Sequence, residues 1–381
     1  MHDVIVVGAG PAGSLAAKTL AQAQYDVLVL EDHDTPGIPQ HCTGLITDET
    51  IRMSGVKPDI INTFHSVEFV FPSGQTIRVD SEKALANIVD RVDMEQKMVD
   101  AAKMEGVEYS FSNAYQSHTV GDSVVVQSQS GAHKAKILVG ADGAMSKIAM
   151  SLGENRPKEY IRGIQADVRH TMEDQDTFRI YLGNSVAPGF FAWEIPCGSM
   201  TRIGLCASWS AGVPSEYLSS MLIRMGYQDR IVKVYSGKIP LGGRQFLCGD
   251  RVILTGDAAG FVKPLSGGGL YPLFKANPHL VSVISAGLDS GALSSRDLAE
   301  YERLCKDDFI RDLNKAYKLR KRYKNISDSD FNKIHDIVVK NDLAQLISDM
   351  DIDHPAGTIK KMISKPRVFI SALPIIMRSI R

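Results

Sequence analysis

Residues 3–7 read DVIVV, a β-branched apolar run suited to a buried strand, and residues 14–22 carry apolar positions at helical spacing. A second apolar run over residues 26–30 closes on Glu31. The pattern predicts strand, turn, helix and strand, with the sequence GAGPAG at residues 8–13 in the turn. Residues 67–71 and 76–79 alternate around Pro72, Ser73 and Gly74, which predicts a hairpin. Residues 84–106 are expected to form one helix ending on Gly106. Residues 107–111 read as a buried strand, and 124–127 with 135–140 as a second hairpin across Ser130 and Gly131. The period then changes. Residues 161–168, 177–182, 190–195 and 201–207 alternate as short strands of one antiparallel sheet. Residues 235–241 read as the return to the first lobe, and 251–254 (RVIL) as another buried strand. From Ser294 the pattern is helical, with Ser294 and Asp297 at capping-box spacing and Leu298, Tyr301 and Cys305 on one stripe.

This order predicts an α/β fold: a Rossmann-like dinucleotide-binding domain, an antiparallel-sheet second lobe of α+β character, and C-terminal helices. A chain of 381 residues is long enough for more than one lobe. The expected division is a discontinuous nucleotide domain over residues 1–62, 81–155 and 245–293, a sheet domain over 63–80 and 156–244, and a helical region over 294–381.

Composition adds mainly exclusions. With 44% apolar and 23% charged residues and a net charge of −1, the chain is ordinary and globular, and nothing favours a nucleic-acid partner. No apolar run reaches the roughly 18 residues of a spanning helix; the longest, residues 368–377, contains Pro374. The chain opens directly on a strand, so no signal or transit peptide is expected, and a cytoplasmic location is. Cysteines 42, 197, 206, 248 and 305 show no CxxC spacing. They suit reduced thiols better than disulfides or zinc, and no metal site is expected. Basic runs lie at 315–324 and at Lys360, Lys361, Lys365, Arg367, Arg378 and Arg381. Such runs are solvated faces, or, beside the apolar stretch 368–377, a peripheral contact to an anionic membrane.

The candidate chemistry begins at the first turn. Gly8 permits the tight turn, Gly10 lets the backbone approach a pyrophosphate, and Gly13, with Ala12 before it, lets the helix pack on the strand. The helix N-terminus offers free N–H groups to phosphates, and Glu31 lies where a carboxylate accepts a ribose hydroxyl. Residues 140–143 (GADG) put Asp142 and Gly143 in a turn at the C-terminal edge of a strand, where ligands of open α/β sheets sit. Asp257, in TGDAAG at 255–260, can bind the ribityl or ribose chain of a long cofactor. Gly267, Gly268 and Gly269 before Leu270 can open a helix N-terminus toward the pyrimidine end of a flavin. Arg91 can reach a cofactor phosphate or ribose, and Asn113 and Ala114 form a loop at a strand's C-terminal end. In the loop over 35–44, Gly44 permits close approach of Cys42 and Thr43 to a flavin ring; on the residues alone the favoured reading of Cys42 is a small apolar filler. In PGFFAWEIP (188–196), Phe191, Trp193 and Ile195 share one face as an apolar wall, with Phe190, Ala192 and Glu194 on the other. An ordinary sheet core gives the same pattern.

GAGPAG with Glu31, GADG and TGDAAG together resemble the FAD-dependent oxidoreductases of the p-hydroxybenzoate hydroxylase fold. Asp90 and Arg91 resemble the flavin-contacting Asp-Arg pair of that fold, and residues 237–240 (GKIP) the strand before its Gly-Asp motif. Within that group the chain resembles the geranylgeranyl reductase family. Residues 188–196 are similar to its Pro-x-x-Tyr-x-Trp-x-Phe-Pro signature, with Phe191 for Tyr and Ile195 for Phe. His41, Cys42, Thr43 and Gly44 resemble its cysteine–glycine loop near the isoalloxazine. Gly267, Gly268, Gly269 and Leu270 also fit the family, but the helix after them departs from it over residues 273–278, and Pro278 is expected to bend it.

The resemblance implies FAD as cofactor and hydrogenation of isolated C=C bonds in geranylgeranyl chains, those of archaeal membrane-lipid precursors or of geranylgeranyl diphosphate and chlorophyll. It implies Cys42 as the catalytic side chain, a proton donor or shaper, and Phe191, Trp193 and Ile195 as substrate-lining. An external electron donor, ferredoxin or NAD(P)H, completes the set. Two other readings share the fold: a flavin monooxygenase or halogenase, whose Trp-x-Trp-x-Ile-Pro pattern residues 191–196 match within one residue, and a prenyl-binding carrier like the Rab GDP-dissociation inhibitors.

Overall fold

A computed structural model describes residues 1–343, 353, 371–373, 375, 376 and 378. Its first sheet runs in the order Cys248–Gly249, Val252–Leu254, Gly131–Gly140, His2–Val7, Val27–Leu30 and Glu108–Ser110. The pairings from Val252–Leu254 through to Glu108–Ser110 are parallel. Val4, Ile5 and Val6 are fully buried, as strands covered on both faces require, and each such side chain contributes about 1.5–3 kcal/mol of burial. The helix Pro11–Gln22 follows with Pro in its first turn. Val124–Ser128 pairs back on Gly131–Gly140 as expected, and Tyr115–Val120 extends that edge.

The helix expected over 84–106 is two elements. Ala86–Val89 is a fully buried strand between Leu45–Ile46 and Ile60–Phe64, and the helix runs only from Arg91 to Met104. Asp90 divides them: its carboxylate accepts the N–H groups of Val92 and Asp93 as an N-cap.

The second sheet runs Ile231–Leu241, Glu159–Val168, Met200–Ser208, Phe191–Cys197, Thr177–Leu182, Ser66–Val70 and Thr76–Asp80. It is antiparallel except where Thr177–Leu182 meets Ser66–Val70 in parallel. Residues 235–241, read as a simple return, belong to its edge strand Ile231–Leu241. This sheet therefore recruits a hairpin from early in the chain and a strand from late in it.

The helix Leu270–Ser290 is continuous through Pro278. Phe274, Ala276, Asn277 and Leu280 around the proline are buried, and Asn277 Nδ2 donates to Thr19 Oγ1 at 3.1 Å. Packing of this face holds the helix across the lost i−4 bond. The capping box at Ser294 and Asp297 is formed, and Leu298, Tyr301 and Cys305 are buried. A π-turn, Lys306–Ile310, leads into Arg311–Tyr323. The basic run there is not wholly a solvated face. Arg320 is 1% exposed, and it donates to Glu159 Oε1 at 2.9 Å and to the Gly189 carbonyl at 2.8 Å.

Among the described residues no helix is long and apolar enough to cross a membrane. Lys360, Lys361, Lys365, Arg367 and Arg381, with most of the stretch 368–377, lie outside the described residues. Arg378 pairs with Asp330.

Candidate active site

Three motifs far apart in sequence touch. A Cβ on Gly8 (φ +106°) would lie 2.4 Å from the Ala141 carbonyl oxygen, so the first turn abuts GADG. A Cβ on Gly256 (φ +60°) would lie 2.7 Å from Ala12 Cβ, so TGDAAG abuts the first helix. At Gly13 a Cβ would meet the Gly8 carbonyl oxygen at 1.9 Å, hence the need for glycine where helix crosses strand. Gly10 is different: no atom stands within 4 Å of its Cβ position, which leaves room at the helix N-terminus for a phosphate.

The acids surround this turn. Glu31 accepts the Ala9 N–H at 2.6 Å and the His33 N–H at 3.1 Å. Burial, and then Asp32, raise its carboxyl against these donors. Asp142 accepts the Ser146 hydroxyl at 2.5 Å and the Ile148 N–H at 3.2 Å, and burial raises its carboxyl too. Both carboxylates thus have protein donors of their own beside the turn. Ala114 accepts the Gln129 N–H at 2.9 Å through its carbonyl. Burial pushes Asp257 up to about 6, with the charges of Arg91 and Arg244 pulling it down. A Cβ on Gly269 would lie 2.7 Å from Asp257 Oδ1, so the glycine run before Leu270 closes on this carboxyl.

Arg91 joins the turn to the Cys42 loop. Its side chain is 7% exposed and pairs with Glu95 at 2.5 Å. Burial alone would lower its guanidinium, but Cys42 and Glu95 beside it outweigh that and raise it. Its Nε has no hydrogen-bond partner among the described residues. Gly44 has φ +86°, and a Cβ there would lie 2.7 Å from the Val89 carbonyl oxygen. The Gly44 N–H lies 3.4 Å from Cys42 Sγ.

The second sheet meets the same loop. Gln165 donates to the Cys42 carbonyl at 3.2 Å, and Arg202 to the Thr43 carbonyl. Trp193 lies opposite Gly204 in register, and a Cβ on Gly204 would be 2.5 Å from both Trp193 Cζ2 and Gln165 Cβ. The wall and the Cys42 loop therefore share Gln165 as a neighbour. Phe191 meets Trp193 edge-on, with centroids 6.2 Å apart. Ile195, 1% exposed, continues the face. Phe190 does not take the opposite face with Ala192 and Glu194. It precedes the strand, stacks on Phe191 at 4.5 Å, and its Cζ lies 3.5 Å from the Cβ position of Gly267. Glu194 accepts the Tyr181 hydroxyl at 2.7 Å on the other side.

Gln165, Asp167, Arg202 and Tyr235 escape the motif reading. Gln165 and Asp167 stand two apart on one strand face, but Arg202 and Tyr235 lie on other strands and carry no local pattern.

The open space at Gly10, the unpartnered Arg91 Nε and the Asp257 carboxyl against Gly269 fit a long dinucleotide lying from the first turn to the Cys42 loop. The site is that of an FAD-dependent oxidoreductase, and the FAD binding domain family matches residues 1–229. FAD is the cofactor. More narrowly, the chain belongs to the digeranylgeranylglycerophospholipid reductase family. It is 30% identical to digeranylgeranylglycerophospholipid reductase 1 of Methanothermobacter thermautotrophicus over 95% of this chain and 94% of that protein. It is 28% identical to the digeranylgeranylglycerophospholipid reductase of Methanocaldococcus jannaschii, covering 88% and 90% of the two. The crystal structure of a geranylgeranyl bacteriochlorophyll reductase-like protein from Thermoplasma acidophilum shares the fold. Its TM-score is 0.84 at 20% identity, over 98% of this chain and 99% of that one.

Proposed function

We propose that the protein saturates isolated C=C bonds of geranylgeranyl chains in archaeal membrane-lipid precursors. The observation that carries this reading is the meeting of the Cys42 loop, the Trp193 wall and the Gly267–Gly269 turn around one face of the second sheet. An isolated alkene is unpolarised, so a side-chain acid or base is not sufficient. Bound reduced FAD supplies the hydride equivalent.

The chain's own residues do the rest. Gly8, Gly10, Ala12, Gly13 and Glu31 hold the adenosine and pyrophosphate end, with Ala114, Asp142 and Gly143 beside them. Asp257 and Arg91 hold the middle. Thr43, Gly44, Gly268, Gly269 and Leu270 hold the flavin end. Phe191, Trp193 and Ile195 line the alkene, orient it and keep water out. Cys42 Sγ gives its proton to the carbon that does not receive the hydride, and regains one from solvent. The division into a discontinuous FAD domain, a sheet domain and a C-terminal helical region is part of this reading.

Reducing equivalents come from an external donor, reduced ferredoxin or NAD(P)H. Because the substrate lies in a bilayer, the protein works at a membrane surface. Trp209, 52% exposed, stands between Arg162 at 5.0 Å and Lys238 at 5.6 Å, an aromatic and cationic set suited to such an interface.

The test is mass spectrometry of a digeranylgeranyl phospholipid after anaerobic incubation with dithionite-reduced protein. The expected product gains one H2 per saturated bond. Unchanged lipid, with flavin reoxidised only by oxygen, overturns the proposal.

A further inference from the structure

The peptide between Thr43 and Gly44 is gripped from the second sheet. Asp167 and Arg202 are cross-strand partners of Glu159–Val168 and Met200–Ser208, 4% and 5% exposed. Arg202 donates Nε to Asp167 Oδ1 at 2.7 Å and Nη2 to Oδ2 at 3.0 Å. The Tyr235 hydroxyl adds a third hydrogen bond to Oδ2 at 2.9 Å. The remaining nitrogen, Nη1, donates to the Thr43 carbonyl. Gln165, two residues from Asp167 on the same sheet face, donates to the Cys42 carbonyl at 3.2 Å and accepts the Thr43 hydroxyl at 2.9 Å.

The carbonyl and N–H of a trans peptide point in opposite directions. With the Thr43 carbonyl drawn into the sheet, the N–H of Gly44 points away from it, toward Cys42 Sγ at 3.4 Å. A buried arginine is a costly anchor for a loop if anchoring is all that is needed. Here its carboxylate partner fixes the plane of the fork, so that only one nitrogen is left for the loop and its direction is set.

We infer that Arg202, braced by Asp167 and Tyr235, is a positioning residue for Cys42, turning the Thr43–Gly44 peptide so that its N–H donates to the thiol sulfur. A hydrogen bond to the sulfur favours negative charge on it, which is what a proton donor needs once its proton has left. The inference rests on the reading of Cys42 given above, but it can fail separately.

The experiment alkylates the FAD-loaded protein with iodoacetamide at neutral pH and follows each cysteine by peptide mass spectrometry. Cys248, half-buried in the edge strand of the first sheet, is the internal reference. Arg202→Lys keeps the charge but loses the fork; Cys42 alkylation slows about tenfold, the effect of one lost hydrogen bond to a charged group. Tyr235→Phe keeps the ion pair and slows Cys42 about twofold. Cys248 does not change, flavin stays bound, and kcat for lipid reduction falls while KM holds. Wild-type alkylation of Cys42 in both variants overturns the inference. If Arg202→Lys does not fold, Tyr235→Phe decides. If Cys42 responds as expected but the protein reduces no lipid, the positioning role stands and the proton-donor reading falls.

Discussion

The indole of Trp193 occupies the space that a side chain at residue 204 would need: a Cβ on Gly204 would lie 2.5 Å from Trp193 Cζ2 and 2.6 Å from Cε2. The two residues are cross-strand partners in the central pair of the second sheet. Gly204→Ala therefore has to push the indole off the sheet or bend the strand. The expected cost is about 1–3 kcal/mol of stability, as for other overpacked cores. Denaturant unfolding checks the cost, and lipid reduction checks the displaced wall. A variant as stable and as active as the parent contradicts this geometry.

Asp257 ties cofactor binding to pH. Burial raises its carboxyl to about 6. With the proposed role for Asp257, a ribityl or ribose hydroxyl would donate to the ionised form, so FAD affinity is expected to be full above that value and to weaken as pH falls through it. Between about pH 7 and about pH 5 the dissociation constant rises roughly tenfold, one pKa unit of unfavourable deprotonation. Asp257→Asn binds FAD more weakly at neutral pH and loses this dependence. Fluorescence titration at several pH values measures both, and a parent protein with pH-independent affinity contradicts the assignment.

Cys42→Ala separates chemistry from cofactor binding. The Cys42 and Thr43 carbonyls stay held by Gln165 and Arg202 without the thiol, so the variant keeps FAD. Loss of a positioned proton donor slows lipid reduction about 10²-fold or more. Equal single-turnover rates in variant and parent would remove Cys42 from the reaction.

Glu159 supports the wall from behind. Its carboxylate accepts from Arg320 at 2.9 Å and from Lys324 at 3.0 Å. Arg320 in turn donates to the carbonyl of Gly189 and lies 5.0 Å over the Phe190 ring. Glu159→Gln leaves a buried cation without its counter-charge, and the expected loss of stability is about 3 kcal/mol. Adding Arg320→Met recovers part of it. A single substitution without effect on urea unfolding contradicts the account.

The turns of the candidate nucleotide site were legible because their signals are local. GAGPAG, GADG and TGDAAG each encode a turn, and each turn ends a strand of the same parallel sheet. What brings them together, such as Gly256 against Ala12, is tertiary and carries no mark in either motif alone. The helix expected over 84–106 shows how a neighbouring signal hides a short strand. Asn87, Ile88 and Val89 precede an N-cap, but the strong helical pattern after Asp90 absorbs them. Likewise the basic run over 315–324 conceals Arg320, because the partners that explain its burial, Glu159, Gly189 and Phe190, are distant in sequence. The network of Gln165, Asp167, Arg202 and Tyr235 depends on strand register, which local alternation does not specify.

The central claim is that reduced flavin in this protein delivers its electrons to an isoprenoid double bond beside Cys42 and Trp193. Anaerobic stopped-flow mixing of the dithionite-reduced, desalted protein with a digeranylgeranyl phospholipid measures this directly. The account predicts return of the oxidised-flavin absorbance at a rate that depends on lipid concentration, and no return with the fully saturated lipid. Flavin that stays reduced with both lipids, and reoxidises only when oxygen is admitted, would contradict it.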